Sequence, residues 1–302
     1  GRKRRRTRGG SPAPGTTSPT GIGTRIHASM KRGALLSVLF CVACSGAGVR
    51  IPFTSLHANA VHRFFPDLDR RENAVRYGRW NALESAWLGG VTPAIDRALA
   101  DGFHETLRRL PDFPPDPRLC APVVAREDPA VFEALVEADR FERRVADALA
   151  ASDATPENTA ARIEKSLFRY RRSRFALESP SAAPVDEKLG EFVTARLLLS
   201  GDWLFAQAAE DLAVAEWRDQ RWKVKSTVDQ YDHRIDSPPA TIEASWYRTF
   251  APTFTASYGA AADIFDRATR FRIELFEALT APGDAARREA VRAVARRYGI
   301  ER

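Results

Sequence analysis

The densest group of ligating side chains in this 302-residue sequence lies between residues 229 and 236, where Asp229, Asp232, His233 and Asp236 follow one another. On a helix, Asp229, His233 and Asp236 fall at i, i+4 and i+7. That spacing puts two carboxylates and an imidazole on one side of the cylinder, where they could grip a single metal ion or polar ligand. An extended strand would scatter them, and the same helical spacing also makes a plain solvated face. A second group is Arg76, Trp80 and Trp87, on neighbouring helical turns. An Arg between indoles can hold an anionic or sugar-like ligand by stacking and charge-assisted hydrogen bonds. Trp at helical spacing also builds cores, and Glu72 stands four residues before Arg76, the ordinary spacing of a helical ion pair. The third group is the run from Phe168 to Phe175, in which aromatic and basic residues alternate. Helical geometry puts Arg162, Lys165, Arg169 and Arg172 on one stripe, a surface suited to anionic headgroups, a glycan or an acidic protein face.

Weaker signals complete the inventory. His104-Glu105 opens like a zinc-protease helix, but Arg108 stands where the second His must be, so the pair that would hold zinc is missing. His57 and His62 precede Asp67 and Asp69, and nothing in the spacing fixes their geometry. The chain has no GxGxxG after a strand, no phosphate-binding GxxxxGK[ST] and no GxSxG elbow. It also lacks CxxCH, and no CxxC occurs beyond residue 50, so no nucleotide, covalent-haem or iron-sulfur motif is present. Cofactors are therefore unassigned, and the sequence neither argues for catalysis nor excludes it.

Helical periodicity dominates the elements that must position these groups. Residues 71 to 89 and Pro93 to Leu110 form an N-terminal helical hairpin within 50–110, broken at Gly89-Gly90. Four prolines between 111 and 117 open a Pro-rich linker, 111–128. A main helical domain follows over 129–302. Asp128-Pro129 and Thr155-Pro156 each supply a capping oxygen and a proline for the first turn. Val131, Leu135, Ala138, Val145 and Leu149 then share one face, and Ile163, Leu167, Tyr170 and Arg174 another. The longest pattern runs from Asp186 to Glu216, with an interruption at Gly201-Asp202, and the last two helices are Ala261 to Leu279 and Ala285 to Tyr298. Between 220 and 258 the pattern is two-sided. Trp222, Val224, Ser226 and Val228 alternate like a strand while Val224, Val228, Tyr231 and Ile235 fit a helix, and Thr249 to Tyr258 reads as a strand or an ordered loop. The expected fold is mostly α, a multi-helix bundle or irregular helical array, with a small β-hairpin in 220–258 as its one rival feature.

The first fifty residues bear on location. Lys31 and Arg32 follow Met30, a ten-residue apolar run extends from Ala34 to Ala43, and Cys44-Ser-Gly-Ala closes it. A basic start, a short apolar run and small residues are the parts of an export signal. Ten residues rise only about 15 Å as a helix, half of a bilayer core. Val42-Ala43-Cys44 resembles the cleavage site of bacterial lipoproteins, which implies that Cys44 becomes the lipidated first residue and that Ser45 directs outer-membrane sorting. Cleavage after Ser45-Gly46-Ala47, releasing a soluble protein, and a retained anchor are the alternatives for this leader, 30–47. Residues 1–29, basic and rich in Ser, Pro, Thr and Gly, are expected to be a disordered extension, either a basic arm or a stretch never made if Met30 starts the native protein.

Removing the leader changes the meaning of the net charge. The chain carries +7, but nine basic and no acidic residues lie at or before Cys44, leaving 37 basic against 39 acidic residues, a charge of −2. A body so close to neutral has no global field to hold a polyanion, so the charge does not point to nucleic acid as a partner. Cys120, alone in the Pro-rich span, reads as a buried thiol. Together these features describe a protein of the bacterial cell envelope, facing the periplasm or the exterior and more in keeping with a lipoprotein than a soluble secreted one. It would act as a scaffold, assembly factor or accessory subunit by contact with envelope proteins or with anionic lipid or glycan. The alternative is a helical small-ligand binder or metal-dependent enzyme centred on Asp229, His233 and Asp236.

Overall fold

A computed structural model describes residues 59–179, 192–199, 202–214 and 250–300. Every regular element among them is a helix: α1 (Asn59–Phe64), α2 (Pro66–Gly89), α3 (Pro93–Arg108), α4 (Pro117–Cys120), α5 (Pro122–Glu127), α6 (Pro129–Ala150), α7 (Pro156–Arg171), α8 (Val193–Leu199), α9 (Asp202–Val214), α10 (Pro252–Ala278) and α11 (Asp284–Arg297). The expected mostly helical multi-helix bundle is what the described residues form. Trp222 to Val228, the first half of the rival hairpin, lies outside the described residues. Its second half does not become a strand: Pro252 starts a helix that runs through a kink at Tyr258 (φ −135°, ψ 42°) into the predicted segment. None of the described helices is long and apolar enough to cross a membrane.

Proline punctuates the chain. Helices α2 to α7 and α10 all begin with it, at the position where a missing N–H costs nothing and a fixed φ favours the first turn. Where a capping residue precedes the proline, the predicted caps form: Asp128 accepts from the Val131 N–H and Thr155 from the Asn158 N–H. The Pro-rich span holds two short helices, and its Cys120, Ala121 and Val124 are buried.

Helix α2 is the centre of the bundle. It packs on α1, α3, α5 and α8, and it buries charged residues as well as Leu68, Val75 and Leu83. Helix α6 lies against α7, α1, α5, α9 and α10, and α10 closes the far side against α9 and α11. An aromatic cluster joins these layers, with the Phe265 ring 5.4 Å from Phe141 and 5.7 Å from Phe205, and Phe141 5.0 Å from Tyr170. Gly78 on α2 is needed for close approach, because a Cβ there would collide with Leu198 of α8.

Four helix starts are completed from a distance. Both Glu84 carboxylate oxygens accept from the backbone of α5, at 3.0 Å from Val123 N and 3.1 Å from Val124 N. Asp96 does the same for Thr194 and Ala195 in α8, and Glu210 for Thr253 and Phe254 in α10. Asp147 accepts from the Ala60 N–H of α1. Helices α5 and α10 have no local side-chain cap, so a carboxylate from a neighbouring helix supplies both the acceptor and the negative charge that the positive helix end favours. Burial pushes the Glu84 carboxyl above its ordinary value, against the two N–H bonds that favour its ionised form.

Candidate functional site

Two arrangements of charge stand out, one buried and one exposed. In the buried one, α2, α6 and α10 meet through Asp139 and Glu142. Asp139 Oδ1 accepts from Arg272 at 2.8 Å and from Arg79 at 3.3 Å, while Oδ2 accepts from the Trp80 indole at 3.0 Å. Glu142 takes the same two guanidiniums, at 2.7 Å from Arg272 and 3.5 Å from Arg79. One turn along, Arg143 donates to Asp69 at 3.0 Å and to Asn73 at 2.9 Å, and Asp69 also holds the half-exposed His62 at 2.9 Å. Burial and the neighbouring Arg76 pull Arg143 down to about 10, which still leaves it charged at neutral pH.

This network consumes its own chemistry. Each carboxylate of the Asp139–Glu142 pair faces two guanidiniums, so neither is poised as a base or offers metal ions an open edge. Asp69, Glu72, Arg76 and Arg143 line a small void walled by Val61, Leu68, Phe205 and Leu212, with room for a single water molecule. Arg76 is buried there, 4.0 Å from Glu72, and its Nε has no hydrogen-bond partner. Among the described residues no three His, Cys, Asp or Glu side chains come together as metal ligands.

The structure separates the predicted Arg76, Trp80 and Trp87 group. Arg76 faces the void and Trp80 is 1 % exposed, its indole committed to Asp139 and its ring 5.4 Å from Phe132. Trp87 lies further along α2, lining a surface groove with Leu88, Val123, Leu279 and Val291. His104 sits on the surface with Nδ1 against the Ala100 carbonyl. Cys120 is a buried thiol and is in no disulfide, as its setting suggested. Asp229, Asp232, His233 and Asp236, together with Cys44 and the leader, lie outside the described residues.

The exposed arrangement is the predicted stripe on α7. Ile163, Leu167 and Tyr170 turn into the bundle. Lys165, Phe168, Arg169 and Arg172 turn out, with Phe168 59 % exposed and the Arg172 guanidinium 5.2 Å above its ring. Arg162 is bound to Asp153, at 2.6 Å. Beyond it, Lys165, Arg169, Arg171, Arg172 and Arg174 have no ion-pair partner among the described residues, and Glu164 lies exposed beside the row. Cations elsewhere on the surface are commonly paired: Arg70 with Asp112, Arg118 with Glu133, Arg140 with Glu137, Arg296 with Glu289 and Arg297 with Glu274. The chain leaving α7 is fixed by Leu177, whose N–H donates to the Tyr170 hydroxyl and whose carbonyl accepts from Arg267.

Sequence reasoning passed over the buried network, although two residues signalled it. Glu142 lies four residues after Ala138 and three before Val145, inside the apolar stripe of α6, and Arg272 stands likewise between Ala268 and Leu275 in α10. A charge inside an apolar stripe has to find a partner in the core. No family model matches this chain, and neither a curated protein nor a solved structure matches it.

Proposed function

We propose that this is an exported helical protein, held at a bacterial membrane by its N-terminal leader, which works by contact as a scaffold, assembly factor or accessory subunit with an anionic envelope component. The observation that carries this reading is the concentration, on and just beyond α7, of an exposed Phe and five cations that have no ion-pair partner among the described residues. Like charges at i, i+3 and i+4 destabilise a helix by about 0.2–0.5 kcal/mol per pair, so Lys165, Arg169 and Arg172 repel one another in the free protein. Arg169 and Arg171 are offset by the negative end of the helix. Lys165, in the middle of α7, has no such compensation. An anionic partner relieves this repulsion and covers Phe168.

Affinity purification of the full chain from its own envelope, beside the K165E/R169E/R172E variant, tests the reading. The wild-type chain should bring down an anionic envelope component in stoichiometric amount, and the variant should lose it. Equal yields of that component from both chains, or recovery of both alone or with a bound metal, would reject contact through α7. Because the three side chains are exposed, the variant should stay folded, losing on the order of 1–2 kcal/mol as carboxylates replace cations at the negative end of α7.

A further inference from the structure

We infer that the anionic component facing α7 is a phospholipid bilayer, the same one that holds the leader, and that α7 lies along its headgroups. This rests on the contact reading above and names the partner. Lys165, Phe168, Arg169 and Arg172 follow one another at i, i+3, i+4 and i+7 on the outer side of the helix, a row about 10 Å long at 1.5 Å per residue. Lys165, Phe168 and Arg169 form an outward row that can touch a plane along its length, while Arg172 at its end also edges a groove lined by Arg171, Arg174, Leu177 and Arg267. Phe168 stands among the cations with Arg172 over its ring, the placement of an interfacial aromatic whose face enters the headgroup layer while the charges remain with the phosphates.

Chain length supports the same partner. Fourteen residues separate Cys44 from Asn59. Even fully extended they span at most about 50 Å, so a chain anchored at Cys44 keeps Asn59, the start of α1, within that distance of its own membrane. At the effective concentration this imposes, a weak electrostatic attraction is enough to hold α7 down. Each basic residue near an anionic surface contributes about fivefold in binding, so losing three costs on the order of a hundredfold.

The test uses the full-length chain anchored in vesicles of phosphatidylcholine alone or of phosphatidylcholine mixed with phosphatidylglycerol, with an arginine-specific reagent as the probe. Arg169 and Arg172 should react several-fold more slowly on the anionic vesicles, and high salt should restore the rate. Arg118, exposed on α4, should react equally on both. Equal reactivity of Arg169 and Arg172 on the two vesicle types would overturn the lipid assignment. If K165E/R169E/R172E still lost a protein partner in the envelope purification, contact through α7 would survive that result. If the variant lost nothing there, both readings would fall together. A chain carrying Arg169→Lys and Arg172→Lys, read with an amine reagent, should keep the protection because a lipid surface reads charge. Its loss on the anionic vesicles would show that the contact needs the guanidinium fork rather than positive charge, and so overturn the assignment to a headgroup surface.

Discussion

Asp139 shows what a single buried residue can impose. It draws Arg79 and Trp80 from α2 and Arg272 from α10 onto one carboxylate of α6, so three helices are held in one register. A buried ion pair adds little net stability over an apolar substitute, but removing one partner leaves the others uncompensated. Arg272→Met should therefore cost about 3–5 kcal/mol in denaturant unfolding. A loss below 1 kcal/mol would mean that the network is not closed in solution. Tyr170 gives a pH-dependent prediction. Burial pushes its hydroxyl up to about 12 from the ordinary 10, and burial together with Glu274 raises Tyr298 further. Below pH 10 both folded and unfolded chains keep these protons and the contribution is whole. Between about 10 and 12 the unfolded chain ionises first, so stability falls as pH rises. Tyr170→Phe should flatten that alkaline slope, and an unchanged slope would count against the assignment. At this scale the sequence was partly legible. Glu142 and Arg272 betray themselves by interrupting apolar stripes, whereas Asp69 and Asp139 sit among other polar residues and acquire meaning only from helices packed on them.

The helices themselves were legible because apolar spacing and proline position are local properties. Asp128-Pro129 and Thr155-Pro156 announce α6 and α7 to within a residue, and the Ile163, Leu167 and Tyr170 face turns inward as its spacing requires. The start of α10 was not legible. Its acceptor is Glu210, more than forty residues earlier, and without it Thr253 and Phe254 read as strand-formers. Glu84→Ala should cost about 1–2 kcal/mol, as the loss of a helix cap does, with the damage at α5 rather than in α2. Hydrogen exchange should show faster exchange at Val123 and Val124, and unchanged protection there would refute the capping role. Gly78 supplies a second prediction of opposite sign to local propensity. Ala is favoured over Gly in a helix interior by about 1 kcal/mol, yet its Cβ would collide with Leu198, so Gly78→Ala should lower the melting temperature by separating α2 from α8. A higher melting temperature would show that α8 can move aside freely.

For the whole molecule, the sequence speaks of location and the folded bundle of the surface it presents. If Cys44 carries lipid, Cys44→Ser should move the protein from the detergent phase to the aqueous phase on partitioning, and unchanged behaviour would exclude lipidation. The α7 stripe was legible from spacing, but its lack of ion-pair partners among the described residues was not, since any of 39 acidic residues could have folded against it. The caps carried between helices also set an order of completion. For α5, α8 and α10 the capping carboxylate precedes its helix in the chain, so during vectorial synthesis or export the acceptor has already emerged when the helix needs it. Helix α1 is the reverse case, because Asp147 follows Ala60 by 87 residues. Helix α1 must therefore wait for α6 to appear, and the first described part of the bundle to leave the ribosome is not the first that can finish folding.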